Sequence, residues 1–181
     1  MRGTRHPAFD LKRRMRFSLI PIQGSAYPMN VTGEFTVNAP RNVVFNTLRD
    51  PNSFVRFVDG VSNLKELDPT HYEAVFETKV AYLKFKFNVT VEVTRMDEPD
   101  IIEAKIEGTP LGVVGRLTAK SVTTLTDAGN ETKVTYSVES TLAGKLGSIG
   151  QPVLRSKAKD MEKIFATRLR AAFAQSTPEE K

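Results

Sequence analysis

The sequence predicts an α+β domain: a curved antiparallel sheet of about seven strands in all, two short helices after its first strand, and one long C-terminal helix. Three observations carry this expectation. Residues 83–94 are apolar at every odd position and polar at every even one, the pattern of a sheet wet on one face. Between Gly60 and Gly144 the period stays close to two, broken by turn residues. From about Ser148 to Gln175, Leu154, Ala158, Met161, Phe165, Leu169 and Ala172 recur at steps of three and four, one apolar stripe on a helix with Lys and Arg opposite.

The elements follow in order. Val31 to Val37 alternates well enough for a first strand. Asn38 is placed to cap a short helix, with Pro40 in its first turn and Val43, Val44, Phe45 and Leu48 at helical spacing. Asp50-Pro51 ends that helix, and a second amphipathic piece with Phe54, Val55, Phe57 and Val58 stops at Asp59-Gly60. Tyr72, Ala74, Phe76, Thr78 and Val80 share one face of the next strand. The alternating run at 83–94 follows, then Ile102, Ala104 and Ile106 after the Glu98-Pro99-Asp100 turn. Two more strands, 113–126 and 132–142, flank Asp127-Ala128-Gly129-Asn130, a hairpin signal. A sheet with one apolar face must be covered. The terminal helix alone is long enough to do so, and a single helix over a concave sheet leaves an apolar cavity beneath it, the usual character of a small-molecule site.

Composition narrows the chemistry. The chain has 181 residues, no Cys and no Trp, and its two histidines, His6 and His71, are far apart. Disulfides, thiol catalysis and thiolate metal sites are thereby excluded, and no catalytic or metal residue is expected. No apolar run approaches the roughly 20 residues of a membrane span. The net charge of +5 belongs to residues 1–28, where Arg2, Arg5, Lys12, Arg13, Arg14 and Arg16 face Asp10 alone; residues 29–181 are neutral. A folded nucleic-acid binder carries its basic face on the domain itself, so no nucleic-acid partner is expected. Phe17 to Ile22, interrupted by Pro21, is too short for a signal-peptide core. Residues 1–28 read as a basic, disordered leader, or as translation upstream of a domain that begins at Met29. The folded domain is expected over 29–175, and 176–181 is a polar tail.

This order of elements resembles the helix-grip fold of the START, pollen-allergen and polyketide-cyclase superfamily. Within it the sequence resembles the carbon monoxide dehydrogenase G-subunit family from about Met29 to Gln175. Gly33-Glu34-Phe35-Thr36-Val37 with Ala39-Pro40, then Val44-Phe45 and Leu48-Arg49-Asp50-Pro51, is similar to that family's opening strand and first helix. Val58-Asp59-Gly60-Val61 stands in the place of its Pro-Gly-Val turn, without the cysteine and proline many members have there. Gly112, Gly115, Leu117 and Ala119 fit its glycine-punctuated strand, and Gly144-Lys145-Leu146-Gly147-Ser148-Ile149-Gly150-Gln151 resembles the lead-in to its last helix. The resemblance implies a non-catalytic accessory protein of molybdenum-containing carbon monoxide dehydrogenases. Such a protein holds a lipophilic quinone or other lipid in its cavity and helps attach the enzyme to the membrane. Its place would be cytoplasmic, peripheral on the inner face of the membrane. Many members reach the membrane through a long tail after the last helix, whereas this sequence ends at Lys181. The alternative within the same fold is a polyketide cyclase or aromatase, which needs acid–base groups in its pocket; the predicted inward faces carry almost none.

The candidate cavity residues follow from the inward faces. Phe76, Phe85, Phe87, Val89 and Val91 are expected to face Leu154, Met161 and Phe165, with Leu117 and Val138 on neighbouring strands. Phe54 and Phe57 are candidates for a lid. Tyr136, inward with Val134 and Val138, is a candidate donor to a ligand carbonyl, since a buried tyrosine hydroxyl wants a partner. Gly144, Gly147 and Gly150 are read as a bend into the helix rather than a phosphate cradle, and Asp97, Glu98 and Asp100 as a solvated hairpin tip.

Overall fold

The computed structural model describes residues 26–174. Alternation along the chain becomes register in a seven-stranded antiparallel sheet of order β1-β7-β6-β5-β4-β3-β2. The strands are β1 (Tyr27–Val37), β2 (Val61–Asp68), β3 (His71–Val80), β4 (Leu83–Asp97), β5 (Ile101–Pro110), β6 (Gly115–Asp127) and β7 (Thr132–Gly144). Helices α1 (Arg41–Arg49) and α2 (Pro51–Phe54) separate β1 from β2, and α3 (Gln151–Ala174) closes the described chain. The turns β2–β3, β4–β5 and β6–β7 lie at one end of the sheet with α1, which we call the closed end. The turns β3–β4 and β5–β6 and the β7–α3 connection lie at the other, the tip end.

Several expectations are corrected. β1 begins at Tyr27, before Met29, because its backbone pairs with β7 from Tyr27↔Leu142 onward. Apart from residues 26–28, the expected leader lies outside the described residues, as does the 176–181 tail. Asn38 does not cap α1: the cap is Pro40, extended at φ −60° and ψ 146°, with no side-chain bond to the helix. Asp50 does double duty, ending α1 and capping α2 by accepting from the Ser53 amide at 3.0 Å. Strand β2 has no alternation to read. It is an edge strand with register shifts, Asn63 at φ 53° and most of its residues exposed. The long helix starts three residues later than expected, after a 3-10 turn at Gly147–Ile149. Gly150, at φ 95°, makes the break, a conformation that favours glycine.

Two apolar clusters hold the layers together. At the closed end Val44, Phe45 and Leu48 of α1 pack with Phe35 and Val37 of β1, Leu125 of β6, Val134 of β7, and Ala166, Leu169 and Phe173 of α3. Thr132, fully buried, donates to the Ala39 carbonyl at 2.7 Å and ties the entry of α1 to β7. At the tip end Val80, Phe85 and Phe87 pack with Leu142, Leu146 and Leu154. The buried stripe of α3 therefore turns onto Ala166 and Phe173 in its second half, and Ala172, expected on it, is exposed.

Candidate functional site

Helix α3 is fastened at both ends. Near its start Leu154 enters the tip-end cluster, and the Gln151 side-chain Nε2 donates to the Pro28 carbonyl at 3.3 Å. Near its finish Arg170 Nε donates to the Thr36 carbonyl at 2.9 Å with its guanidinium over the Phe35 ring, while Arg168 pairs with Asp59 at 2.9 Å. The helix backbone comes closest to β1 and next to β3, and its side chains reach the central strands in the two end clusters.

The inner face of the central strands therefore stays partly uncovered. Register places Val89 opposite Gly108, Val91 opposite Ile106, Ala119 opposite Ser140 and Val138 opposite Ser121, all on the side that carries the buried Phe87, Leu142 and Val134. Val89, Val91, Ile106, Leu117, Ala119 and Val138 are nevertheless half-buried, as are Ala158, Met161 and Phe165 across from them. Small residues at Ala74, Ala104, Ala119 and Ser121 widen this space, because no long side chain reaches across from them.

The sequence-predicted site residues fall into three groups. Val91, Val138 and Met161 are half-buried on the inner side, while Val89 and Leu117 pack against the tip-end cluster. Phe76 stacks on Phe87 with ring centroids at 6.1 Å, and Phe85, Phe87 and Leu154 belong to the tip-end cluster. Phe165 does not face the β4 phenylalanines as expected. It packs against Phe35, Phe54 and Phe57 at 6.2, 5.5 and 6.0 Å, beside the closed-end cluster. Phe57 lies beyond α2 and is buried, whereas Phe54, its last residue, remains 40 % exposed beside Phe165.

Tyr136 and Glu162 form the polar feature of this interior. Tyr136 lies directly across Gly33 in the β1–β7 pair. A Cβ at position 33 would sit 2.2 Å from the tyrosine hydroxyl, 2.6 Å from its Cζ and 2.8 Å from Glu162 Oε1. Glycine at 33 is thus what lets the ring lie flat over β1 and lets the Glu162 carboxylate come alongside. The hydroxyl is buried and makes no aligned hydrogen bond. Desolvation first, and the adjacent Glu162 second, push its ionisation well above the usual tyrosine range. Sequence reasoning missed Glu162, yet the signal was present: 162 stands four residues from Ala158 and from Ala166, on the inward face rather than opposite it.

Elsewhere the titratable groups serve structure. Asp97, Glu98 and Asp100 are tied to Arg95, Arg49 and Arg41. Asp68 accepts from the Thr70 amide and from His71, which hold its carboxyl at about 2. Among the described residues no cluster of three His, Cys, Asp or Glu is placed to hold a metal, and no helix is long and apolar enough to cross a membrane.

A seven-stranded antiparallel sheet gripped by one C-terminal helix defines the helix-grip fold. More particularly, the chain belongs to the carbon monoxide dehydrogenase G-subunit (CoxG) family, whose model matches residues 33–174. Among solved structures it is similar to a conserved protein from Geobacillus kaustophilus, at 25 % identity and TM-score 0.75 over 82 % of this chain and 97 % of that one. It shares its fold with the Zhui aromatase/cyclase from Streptomyces sp. R1128, at 12 % identity and TM-score 0.63 over 84 % and 98 % of the two chains. A START superfamily protein from Mycobacterium smegmatis matches at 11 % identity and TM-score 0.61, over 82 % and 99 %. No curated protein matches the sequence.

Proposed function

We propose that this protein is a non-catalytic carrier of a lipophilic small molecule, a quinone or another lipid. On this reading it serves as an accessory to a molybdenum-containing carbon monoxide dehydrogenase-type enzyme and to that enzyme's association with the membrane. Family membership supports the partner. The carrier activity rests on one observation: the apolar inner face around Val89, Val91, Ile106 and Val138 that α3 spans without covering. Uncovered apolar surface gains about 25 cal/mol per Å2 when a ligand removes it from water, so a flat, apolar molecule is the occupant this space favours. Tyr136, its buried hydroxyl held neutral beside Glu162, is the donor such a ligand's carbonyl would find.

Native mass spectrometry of protein purified without detergent, with an organic extract alongside, tests the reading. A co-purifying quinone or lipid, or uptake of added short-chain ubiquinone, is expected, and both should disappear in Val91→Glu and Met161→Glu variants whose circular dichroism is unchanged. An empty protein that takes up no quinone would overturn it. The Tyr136–Glu162 pair is the one foothold of the cyclase-like alternative. Turnover of a poly-β-ketone substrate, lost in Glu162→Gln with binding intact, would establish that reading instead.

A further inference from the structure

The inner face holds one polar group that folding alone leaves unexplained. Two serines of this face have partners: Ser121 Oγ donates to the Ala104 carbonyl at 3.4 Å and Ser140 Oγ to the Met29 carbonyl at 3.2 Å. Among the described residues, the Tyr136 hydroxyl is the buried side-chain polar atom with no aligned partner. Burying a hydroxyl in that condition works against folding, so a reason for keeping it is to be sought. Glu162 Oε1 shares the space above Gly33 with it: a Cβ there would meet the hydroxyl at 2.2 Å and the carboxylate at 2.8 Å. No salt bridge reaches Glu162 among the described residues. A donor and an acceptor thus lie side by side, misaligned for each other, over a residue with no side chain. Val138, the next inward residue of β7, leads from this pair onto the half-buried apolar surface, with Ser121 across from it.

We propose that Tyr136 and Glu162 together select a ligand that presents a hydroxyl at its polar end, and that within a quinone couple they favour the reduced, phenolic form over the carbonyl form. A tyrosine hydroxyl gives one hydrogen, and a carboxylate only accepts. A ligand hydroxyl between them satisfies both, accepting from Tyr136 and donating to Glu162. A carbonyl in the same place takes the Tyr136 hydrogen but turns its own lone pairs towards the carboxylate, which is left without a donor. The two ligands therefore differ by one charge-assisted hydrogen bond, the stronger class. Glu162 makes that difference, while Tyr136 serves both ligands alike. Burial first, and Glu162 second, keep the Tyr136 hydroxyl protonated, so its hydrogen is available to either. The proposal rests on the carrier reading, and the two are told apart by whether a ligand binds and by which form of it binds better.

The test is anaerobic equilibrium dialysis of the full chain against a short-chain ubiquinone and the corresponding ubiquinol, which share ring and tail and differ only in their hydroxyl hydrogens. The ubiquinol is expected to bind about tenfold more tightly. Saturating protein should accordingly raise the midpoint potential of the couple by about 30 mV. Glu162→Gln, whose amide can accept from a hydroxyl and donate to a carbonyl, should bring the two affinities within about twofold of each other. Tyr136→Phe should weaken both forms and keep their ratio. Lys163→Gln, the exposed neighbour on α3, should change neither. Thermal melts confirm that each variant is folded. Equal binding of the two forms by the unaltered chain, the result if water already bridges the pair, overturns the proposal and spares the carrier. A preference that survives Glu162→Gln overturns it too. If neither form binds, the carrier reading falls and takes the proposal with it.

Discussion

The two ends of the molecule solve opposite problems with the same strands. At the closed end α1 plugs the sheet, Val37, Val44, Phe45 and Leu169 are fully buried, and arginines reach across to neutralise the hairpin acids. At the tip end the loops expose Tyr82 and Val114, and the ion pairs beside them, Lys86 with Glu77 and Arg116 with Glu107, stay on the strands. Between them lies an inner face that neither cluster covers. The larger buried cluster thus lies at the closed end, and the proposed ligand surface lies towards the middle, the division expected when binding sites are drawn from less tightly packed regions.

The comparison is sharpest where packing differs most. Leu169→Ala removes a fully buried side chain of the closed-end cluster and is expected to cost about 3–5 kcal/mol in urea unfolding. Val91→Ala should cost less than about 1.5 kcal/mol, because its side chain is only partly removed from solvent. Equal losses at the two sites would mean that the inner face is packed after all. Gly33→Val tests the junction between the regions: its side chain collides with the Tyr136 ring and should destabilise by about 1–3 kcal/mol. A Tyr136→Ala background should relieve most of that loss, a coupling visible in a double-mutant cycle.

The smallest effect concerns pH. The Tyr136 hydroxyl ionises at a higher pH in the folded chain than in the unfolded one, whose tyrosines titrate near 10. Its contribution is complete below that value and is lost as the pH rises above it, when the unfolded state sheds the proton and the folded state does not. Tyr136→Phe should therefore match the unaltered protein within about 1 kcal/mol at pH 7 and lose less stability above pH 10. Tyr72, also shifted upward chiefly by burial, is present in both proteins and cancels from the comparison.

What could be read in the sequence was what repeats. The alternation of Leu83 to Thr94 and the spacing of Leu154, Met161 and Leu169 are periodic signals, and they gave the sheet, the terminal helix and the fold they form together. Strand β2 escaped because an edge strand with both faces wet has no apolar phase to read. The break at Gly150 escaped because continuous periodicity on either side masks a single left-handed residue. Phe165 was assigned to the wrong neighbours since a stripe fixes which side of a helix is inward but not which part of the sheet each of its residues meets. Glu162 was passed over because a carboxylate at an inward position is read as surface until its neighbour, Tyr136 over Gly33, is known.

Because α3 is held at Leu154 and Gln151 at one end and at Leu169, Arg170 and Phe173 at the other, its middle turns bear little of the folding load. Ala158 and Met161 can therefore change size with small effect on whether the chain folds, while directly altering the depth of the space beneath them. On the carrier proposal, cargo preference and foldability would be written in separate letters of the same helix.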